Sequence, residues 1–288
     1  MRKRNSPTAR TRALGLALAA LAATAAAQEP PPGTEIYLAE VEGDRLGDAQ
    51  RLTERPGYDN QPHFQPDGDA FWFTRIESGQ ADIYAMDLVT RSEKQVTETP
   101  LSEYSPTPSP NGGIAVVRVE ADGAQRLWEF EIDGSNERLL FPELEPVGYF
   151  DWIDGNRVAA FLLGDTFTLQ VATPGQPARV VADDIGRTIR RLPDGTVAYL
   201  DKARTPFRIV SFSTEDDTHR TLAEMPGEGE DFAVGPDGRL WAGVDGRILV
   251  HGSEGWVEAA DFSGAGILGI TRMAVSPNGS RLLFVAAE

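Results

Sequence analysis

The fold of this chain is decided by the stretch Pro62-His63-Phe64-Gln65-Pro66-Asp67-Gly68-Asp69-Ala70-Phe71-Trp72-Phe73-Thr74, in which a Pro-Asp-Gly turn joins two apolar segments. Asp-Gly and Asn-Gly suit the positive φ values of tight hairpin turns. The same turn motif returns five times, 40 to 44 residues apart, as Pro110-Asn111-Gly112, a degenerate Ile153-Asp154-Gly155, Pro193-Asp194-Gly195, Pro236-Asp237-Gly238 and Pro277-Asn278-Gly279. A period of this length built from short strands is typical of propeller blades.

Each repeat divides into four short strands. In the first repeat these are residues 62–65 (the inner strand), 70–75, 82–87 and 94–97 (the outer strand). Turn signals every eight to twelve residues, without a helical period, indicate all-β structure. The second strands are apolar on both faces, as expected where sheets stack face to face.

The two ends of the chain complement each other. The sixth repeat stops after its second strand, whereas residues 34–40 resemble a third strand and residues 50–53 an outer strand. The N-terminal strands therefore supply what the last repeat lacks, which leaves no long unpaired edge. We predict an all-β, six-bladed β-propeller over residues 34–288, its ring closed by N-terminal strands that complete the last blade.

The first 27 residues have the pattern of a signal peptide. Basic residues precede the Ala/Leu-rich segment 13–23, and Ala25-Ala26-Ala27 fits a small-residue cleavage site. The apolar segment is too short for a comfortable membrane span, which disfavours the alternative of an uncleaved anchor. We predict cleavage after Ala27, a linker over residues 28–33, and a periplasmic or secreted monomer without stable membrane insertion.

Composition narrows the classes of partner. The chain contains no cysteine, so disulfides and thiolate chemistry are excluded. Removing the five basic residues of the signal segment from the 27 leaves 22 against 44 acidic residues, a formal charge of −22. Such a surface disfavours nucleic acid, whose binding depends on phosphate neutralisation by Lys and Arg. It favours cations or a basic partner, or serves solubility alone.

The repeat resembles a known one. Residues 58–68, then Phe71-Trp72-Phe73-Thr74 and Asp82-Ile83-Tyr84-Ala85-Met86-Asp87, are similar to the TolB-type, Trp-Asp-repeat-like propeller repeat, as is Val275-Ser276-Pro277-Asn278-Gly279. The resemblance covers residues 34–288 and is strongest in the first, second and sixth repeats. It implies an exported propeller that acts as a binding scaffold, with its partner left open.

No catalytic constellation stands out in the sequence. The three histidines, His63, His219 and His251, fall on an inner strand, an outer strand and the end of a third strand, so they are not expected to share a metal. Gly-x-Ser-x-Gly is absent, and nothing marks a serine with a base and an oxyanion hole. We therefore predict a non-enzymatic protein without a required cofactor.

The best candidates for recognition are residues that the sequence places on the loops entering inner strands. Such loops, held by a rigid scaffold, are where binding residues concentrate. The predicted partner-binding loop face, for a protein or peptide of the cell envelope, consists of Tyr58, Asp59, Asn60, His63, Glu103, Tyr104 and Tyr149.

Two alternatives place a ligand in the central channel, and a third leaves its site open. Acidic and amide groups precede several inner strands, and such oxygen-rich rings suit the calcium of a lactonase-type hydrolase. Arginines that face the channel would hold a carboxylate or phosphate unless they pair with the acidic loops. The anion candidates are Arg187, Arg190, Arg191 and Arg272. A glycan-binding envelope propeller is the third alternative.

Overall fold

The computed structural model describes residues 31–288. The predicted signal peptide (residues 1–27) and residues 28–30 of the predicted linker lie outside the described residues. The described chain is built from strands, with one short 3-10 helix at Ser263–Ala265. The all-β prediction is confirmed.

The strands follow the sequence repeats. The N-terminal strands are β1 (Thr34–Glu42), β2 (Arg45–Leu46) and β3 (Gln50–Arg51). The first two repeats form β4 (Tyr58–Phe64), β5 (Ala70–Glu77), β6 (Gln80–Asp87), β7 (Glu93–Gln95), β8 (Ser102–Pro108), β9 (Ile114–Val119), β10 (Gln125–Phe130) and β11 (Arg138–Leu140). The third and fourth form β12 (Val147–Trp152), β13 (Val158–Leu162), β14 (Thr168–Ala172), β15 (Arg179–Asp183), β16 (Ile185–Arg191), β17 (Val197–Asp201), β18 (Arg208–Phe212) and β19 (His219–Glu224). The last two form β20 (Phe232–Val234), β21 (Leu240–Val244), β22 (Arg247–Gly252), β23 (Gly255–Asp261), β24 (Thr271–Val275) and β25 (Arg281–Ala287).

Repeats two to five each form a separate antiparallel sheet of four strands in chain order. The remaining strands form one nine-stranded sheet, in which the path β24-β25-β1 meets β4-β5-β6-β7 through a single parallel bridge between Thr34 and Tyr58. Strand β1 pairs antiparallel with β25 over seven residues, from Thr34–Ala287 to Glu40–Arg281. The first and last strands of the described chain are therefore hydrogen-bonded to each other.

The hairpin turns have the geometry that their sequence favours. Gly68 has a φ of 78°, and its N–H donates to the carbonyl of Gln65 over 2.9 Å. The Asp67 carboxylate accepts the N–H of Asp69 over 3.0 Å. Glycine takes this φ without steric cost, and the Asp side chain closes the turn locally.

One boundary prediction is wrong. The inner strand of the first repeat was predicted over residues 62–65. Strand β4 instead begins at Tyr58 and runs through Pro62. Its pairing with β5 shifts register between Asn60 and His63, so the proline sits at a bulge where no ladder donor is required.

The core consists of apolar layers between neighbouring sheets. Trp72, on one face of β5, packs against Ile114 and Val116 of the second repeat. Phe71 and Phe73 belong to the layer formed with β1 and β25. All three aromatic side chains of β5 are fully buried, which confirms that this strand is covered on both faces. Corresponding layers join each sheet to the next along the chain.

Candidate functional site

The first strands of the repeats come together around one cavity of about 50 Å³, which we call the central cleft. Strands β4, β8, β12, β16 and β24 line it, together with Asp231 immediately before β20. The residues whose chemistry matters here are His63, Ser105, Tyr149, Arg187, Arg190, Asp231 and Arg272. The cleft thus collects side chains from all six repeats.

A constant backbone position supplies many of these side chains. It lies five residues before the first residue of each turn motif and is occupied, in repeat order, by Gln61, Ser105, Gly148, Thr188, Asp231 and Arg272. All of these except Gly148 line the central cleft. The φ angles of Gln61, Ser105 and Arg272 are 55°, 55° and 47°. Register shifts occur at or beside this position in five of the six inner strands. Bulges re-aim side chains, so the repeat presents a different group to the cleft each time.

Asp231 is the buried carboxylate of the cleft. The Arg187 Nε donates to its Oδ1 over 3.1 Å, and the Arg187 Nη2 donates to its Oδ2. The Arg272 Nε lies 3.6 Å from Oδ1. Burial alone would raise the pKa of Asp231, but the charges of Arg187 and Arg272 outweigh it and lower this pKa to about 2. Asp231 is therefore ionised at neutral pH.

Arg272 reaches a residue of the third repeat. Its Nη2 donates to the hydroxyl of Tyr149 over 2.8 Å, and its guanidinium carbon lies 4.6 Å from the centre of the Tyr149 ring. Burial would lower the pKa of Arg272, but Tyr149 and Asp231 outweigh it and raise this pKa. Arg272 is thus a fixed cation in the wall of the central cleft.

Arg190 differs from the other two arginines. Its Nη1 donates to the carbonyl of Ile189 over 2.9 Å, and its Nη2 donates to that of Met273 over 3.4 Å. Within residues 31–288, no carboxylate oxygen lies within the 4.0 Å of an ion pair with it. Burial lowers the pKa of Arg190. A guanidinium with only carbonyl partners retains attraction for an anion.

Two uncharged groups complete the wall. The Nδ1 of His63 is 3.0 Å from the carbonyl of Phe64, and burial lowers the pKa of His63, which favours the neutral ring. The backbone N–H of Ser105 donates to the Gln61 side chain over 2.8 Å. The Ser105 hydroxyl, in contrast, is buried and has no hydrogen-bond partner among the described residues. Its hydrogen-bonding capacity is therefore unused, which is unusual for a buried polar group.

The charge of the cleft is opposite to that of the chain. Of the lining residues within the described range, three are arginines and one is a carboxylate, whereas the whole chain has a net charge of −17. Arginines in a recessed, partly desolvated site bind carboxylate or phosphate through paired N–H donors. The arrangement is chemically suited to binding an anionic group.

Three of the four arginines predicted to bind an anion lie together, as expected. Arg187, Arg190 and Arg272 line the central cleft, and Tyr149 and His63 from the predicted loop face join them. Arg191 does not: its side chain is exposed, and its backbone N–H donates to Asp151 Oδ2 over 2.8 Å. The bulge between Ile185 and Ile189 changes the alternation of β16 and turns Arg191 away.

The prediction that the recognition residues lie in loops is wrong. Tyr58, Asp59 and Asn60 lie in β4, Glu103 and Tyr104 lie in β8, and Tyr149 lies in β12. The side chains of Tyr58, Asp59, Asn60 and Glu103 are buried. The inner strands begin earlier than the turn chemistry suggested because their bulges allow the pairing to continue.

Asp59 and Glu103 belong to a structural device that the sequence analysis missed. Arg75 donates to both oxygens of Asp59 over 2.8 Å each and to Glu93 on β7. In the next repeat Arg118 donates to Glu103 over 2.9 Å and to Glu137 over 2.7 Å. A sequence pattern could have predicted these pairs: in both repeats an acidic residue on the first strand is followed by an arginine on the second. In the first repeat these ion pairs link the inner strand β4 to the outer strand β7, and in the second they link β8 to Glu137, which immediately precedes β11.

Asn60 has internal partners, and Tyr58 is buried. The Asn60 amide donates to the Thr34 hydroxyl over 3.1 Å and accepts the N–H of Gln61 over 2.8 Å. Burial raises the pKa of Tyr58. The Asn60 contact connects β4 to the N-terminal strand.

Among residues 31–288, no three His, Asp or Glu side chains lie close enough to form a metal-ligand set. The same range contains no helix with the length and apolar character needed to span a bilayer.

Comparisons with known proteins bear mainly on the fold. No protein-family model matches the chain. The uncharacterized protein Atu1656 of Agrobacterium fabrum is 27% identical over 115 residues, 37% of this chain. The chain matches 38% of the length of that curated relative.

Solved structures are similar over most of the described chain. A candidate TolB from Agrobacterium tumefaciens has a TM-score of 0.72 at 14% identity, over 89% of this chain and 99% of that one. A gluconolactonase from Xanthomonas campestris, XC5397, has a TM-score of 0.63 at 13% identity, over 90% and 99%. A chain of a nidogen/laminin complex has a TM-score of 0.58 at 14% identity, over 88% and 98%. The chain has the fold of TolB-like β-propellers, as its repeat predicted.

Proposed function

We propose that the protein is an exported, non-enzymatic propeller that binds an acidic group of a protein or peptide partner in the central cleft. One observation carries the proposal: Arg187, Arg190 and Arg272 converge on a cleft in which Asp231 is the single lining carboxylate. Asp231 is paired with Arg187 and Arg272. The guanidinium of Arg190 is left for a ligand.

The fold itself accommodates both binding and catalysis. Its structural neighbours include TolB, a chain of a nidogen/laminin complex and a gluconolactonase. Fold does not imply function, so the choice rests on the site. The cleft offers fixed cations and hydrogen-bond donors, which favour recognition of an anionic group.

A closed, six-bladed ring is part of the proposal. Its support is the seven-residue pairing of β1 with β25 and the apolar layers that join the last strands both to the fifth repeat and to the first. Thr34 and Ala287 are partners in this pairing, and antiparallel partners have Cα separations that permit a disulfide. In this cysteine-free chain, Thr34→Cys with Ala287→Cys should form a disulfide that protects against unfolding.

The ring closure has a matched control. Thr34→Cys with Arg281→Cys joins residues at opposite ends of the same pairing, so it should stay reduced in a folded monomer. Oxidation of both pairs to the same extent, or of neither, would contradict the closure and its register.

Export is proposed from the sequence alone. The basic N-terminal residues and the Ala/Leu-rich segment precede the Ala25-Ala26-Ala27 site. Expression in a bacterium with two membranes should give a periplasmic or secreted protein that begins at Gln28. N-terminal sequencing of the processed protein checks the site, and a full-length cytosolic protein would refute it.

Partner binding is tested by capture after mild crosslinking. The mature chain, residues 28–288, is used as wild type, as Arg190→Gln and as Arg191→Gln. The two variants remove the same charge from adjacent positions, but only Arg190 lines the central cleft. We expect one envelope protein to be captured by the wild type and by Arg191→Gln and lost with Arg190→Gln. Equal capture by all three would overturn the assignment of the cleft.

A further inference from the structure

The donors of the central cleft are unequally used. Arg187 makes a two-point contact with Asp231, and Arg272 is held by Tyr149 and Asp231. Arg190 has only two backbone carbonyls, and the buried Ser105 hydroxyl has no partner within residues 31–288. Buried donors are normally satisfied. The unused capacity of the cleft is one guanidinium and one hydroxyl.

The shape of the cleft restricts what reaches them. Its volume is about 50 Å³, and Pro62 and Pro106 form part of its wall. One water needs about 10–15 Å³ of this space, so the cleft has room for a small group of a few heavy atoms. The end of a chain or a small molecule fits this space.

The uncharged wall favours a carboxylate that has an N–H beside it. We assign the Nδ1–H tautomer to His63 from its contact with the Phe64 carbonyl, which leaves Nε2 as an acceptor. A phosphate presents acceptor oxygens on every side, whereas the last residue of a polypeptide combines a carboxylate with an amide N–H. The mixture of donors and an acceptor suits the second ligand better.

The charge around the cleft disfavours acidic sequences. The chain carries 44 acidic against 27 basic residues. Glu230 lies beside the cleft and accepts the backbone N–H of Arg187 over 3.3 Å, but it is paired with Lys202, so the negative field comes from the net charge of the chain. An acidic peptide would be repelled before its carboxylates reached the arginines. A neutral or basic segment is not repelled by the acidic chain, and a single carboxylate at its end is attracted by the arginines of the cleft.

We propose that the central cleft receives the free C-terminal carboxylate of a neutral or basic polypeptide, with Arg190 and Ser105 as its ligands. This inference rests on the proposed function of partner binding. It names the chemical group that the partner inserts.

The test compares N-acetyl-glycyl-glycine with its C-terminal amide, titrated calorimetrically against mature protein. The two probes differ only in the terminal carboxylate. We expect the free acid to bind and the amide to bind at least about tenfold more weakly, in line with the loss of a charge-assisted contact. Arg190→Gln should weaken the free acid by a similar factor, whereas Arg191→Gln should leave it unchanged.

Acetate and inorganic phosphate separate the other sources of an anion. If either binds as tightly as N-acetyl-glycyl-glycine, the cleft is a general anion site and the inference is overturned. If the two glycyl probes bind equally or not at all while Arg190→Gln still abolishes partner capture, the inference fails and the proposed function stands. Capture that survives Arg190→Gln overturns the proposed function itself.

The variant requires a folding control because Arg190 is partly buried. Circular dichroism and urea unfolding establish whether Arg190→Gln retains the native sheet structure. Arg190→Lys is the second variant: it keeps the charge but loses the planar fork, so it should bind the free acid more weakly than wild type. The comparison of acid with amide on wild-type protein decides the question even if both variants unfold.

Discussion

Arg272 and Tyr149 are hydrogen-bonded to each other across 123 residues of sequence, with Nη2 and the phenolic oxygen 2.8 Å apart. Arg272 belongs to β24 of the sixth repeat and Tyr149 to β12 of the third. In the proposed ring of six, these two inner strands face each other. The bond therefore links opposite walls of the central cleft, and it should stabilise the arrangement of the whole ring.

Tyr149→Phe tests this link. The substitution removes the hydroxyl and keeps the ring beneath the Arg272 guanidinium. We expect a loss of unfolding free energy of about 1–3 kcal/mol, the range for a hydrogen bond to a charged group. Urea unfolding measures it.

Tyr84→Phe is the matched control for that measurement. The Tyr84 ring packs against Phe73 at 5.9 Å and against Arg75 at 4.7 Å, but its hydroxyl makes no hydrogen bond among the described residues. We expect a change of less than about 0.5 kcal/mol there, as for a substitution that removes no partner. Equal losses of unfolding free energy in the two variants would show that the Arg272–Tyr149 hydrogen bond does not stabilise the fold.

Asp231 gives a prediction for the pH dependence of stability. Its pKa is lowered to about 2 in the folded protein, against about 3.9 for an unperturbed Asp. A carboxyl whose pKa is lowered by folding stabilises the protein above its unfolded pKa, and this contribution is lost as the pH falls towards the folded pKa. The difference corresponds to about 2–3 kcal/mol.

Asp231→Asn should therefore be less stable than wild type at neutral pH by at least that amount, because it also leaves Arg187 and Arg272 uncompensated. The gap should narrow as the pH falls from about 4 towards 2. Urea unfolding at several pH values, over the range where both proteins remain folded, measures the gap. A gap that stays constant would contradict the ionised role of Asp231.

The sequence predicted the repeats better than the register within them. A turn such as Pro66-Asp67-Gly68 is a local signal, since its residues fix their own φ angles. Which strand residues face the central cleft depends instead on bulges. Strict alternation would put Arg187, Ile189 and Arg191 on one face of β16, but the bulge before Ile189 places Arg187 and Arg190 in the cleft. A bulge reflects the packing of several strands, and one strand's sequence does not specify it.

The pairing of distant residues was the least predictable feature. Arg190 donates to the carbonyl of Met273, and Arg272 to Tyr149, across 83 and 123 residues. Acidic groups surround the inner strands in the sequence, so several partners were equally reasonable for each arginine. The arrangement of the sheets in space brings Asp231 between Arg187 and Arg272.

Arg118 tests the repeated ion pairs. Its side chain is 2% exposed and donates to Glu103 and Glu137. Arg118→Leu leaves the fully buried Glu103 without its cation, which should cost about 3–5 kcal/mol of unfolding free energy. Adding Glu103→Leu should recover most of the loss, because a buried ion pair is often replaced by apolar side chains with little net change. Urea unfolding of both single variants and the double variant gives the coupling, and additive losses would contradict it.

Gly134 tests how closely the first and second sheets pack at their outer edges. It has a φ of 89°, and a Cβ atom on it would lie 1.8 Å from the carbonyl oxygen of Val96, beyond the end of β7. Gly175 has a φ of 71° and open space around it. Alanine at either position incurs the left-handed backbone strain of about 1–2 kcal/mol. At Gly134 it must also push the neighbouring sheet away, which should add about 1–3 kcal/mol.

Thermal or urea unfolding of Gly134→Ala and Gly175→Ala isolates the packing contribution, because the backbone strain is common to both. We expect the Gly134 variant to be clearly the less stable. It should also show the larger change in amide exchange around Val96, since the clash acts on the backbone of the adjacent repeat rather than on its own turn. Equal stabilities would mean that the turn at Gly134 moves aside freely, and that the outer edges of the first two sheets do not hold each other in place.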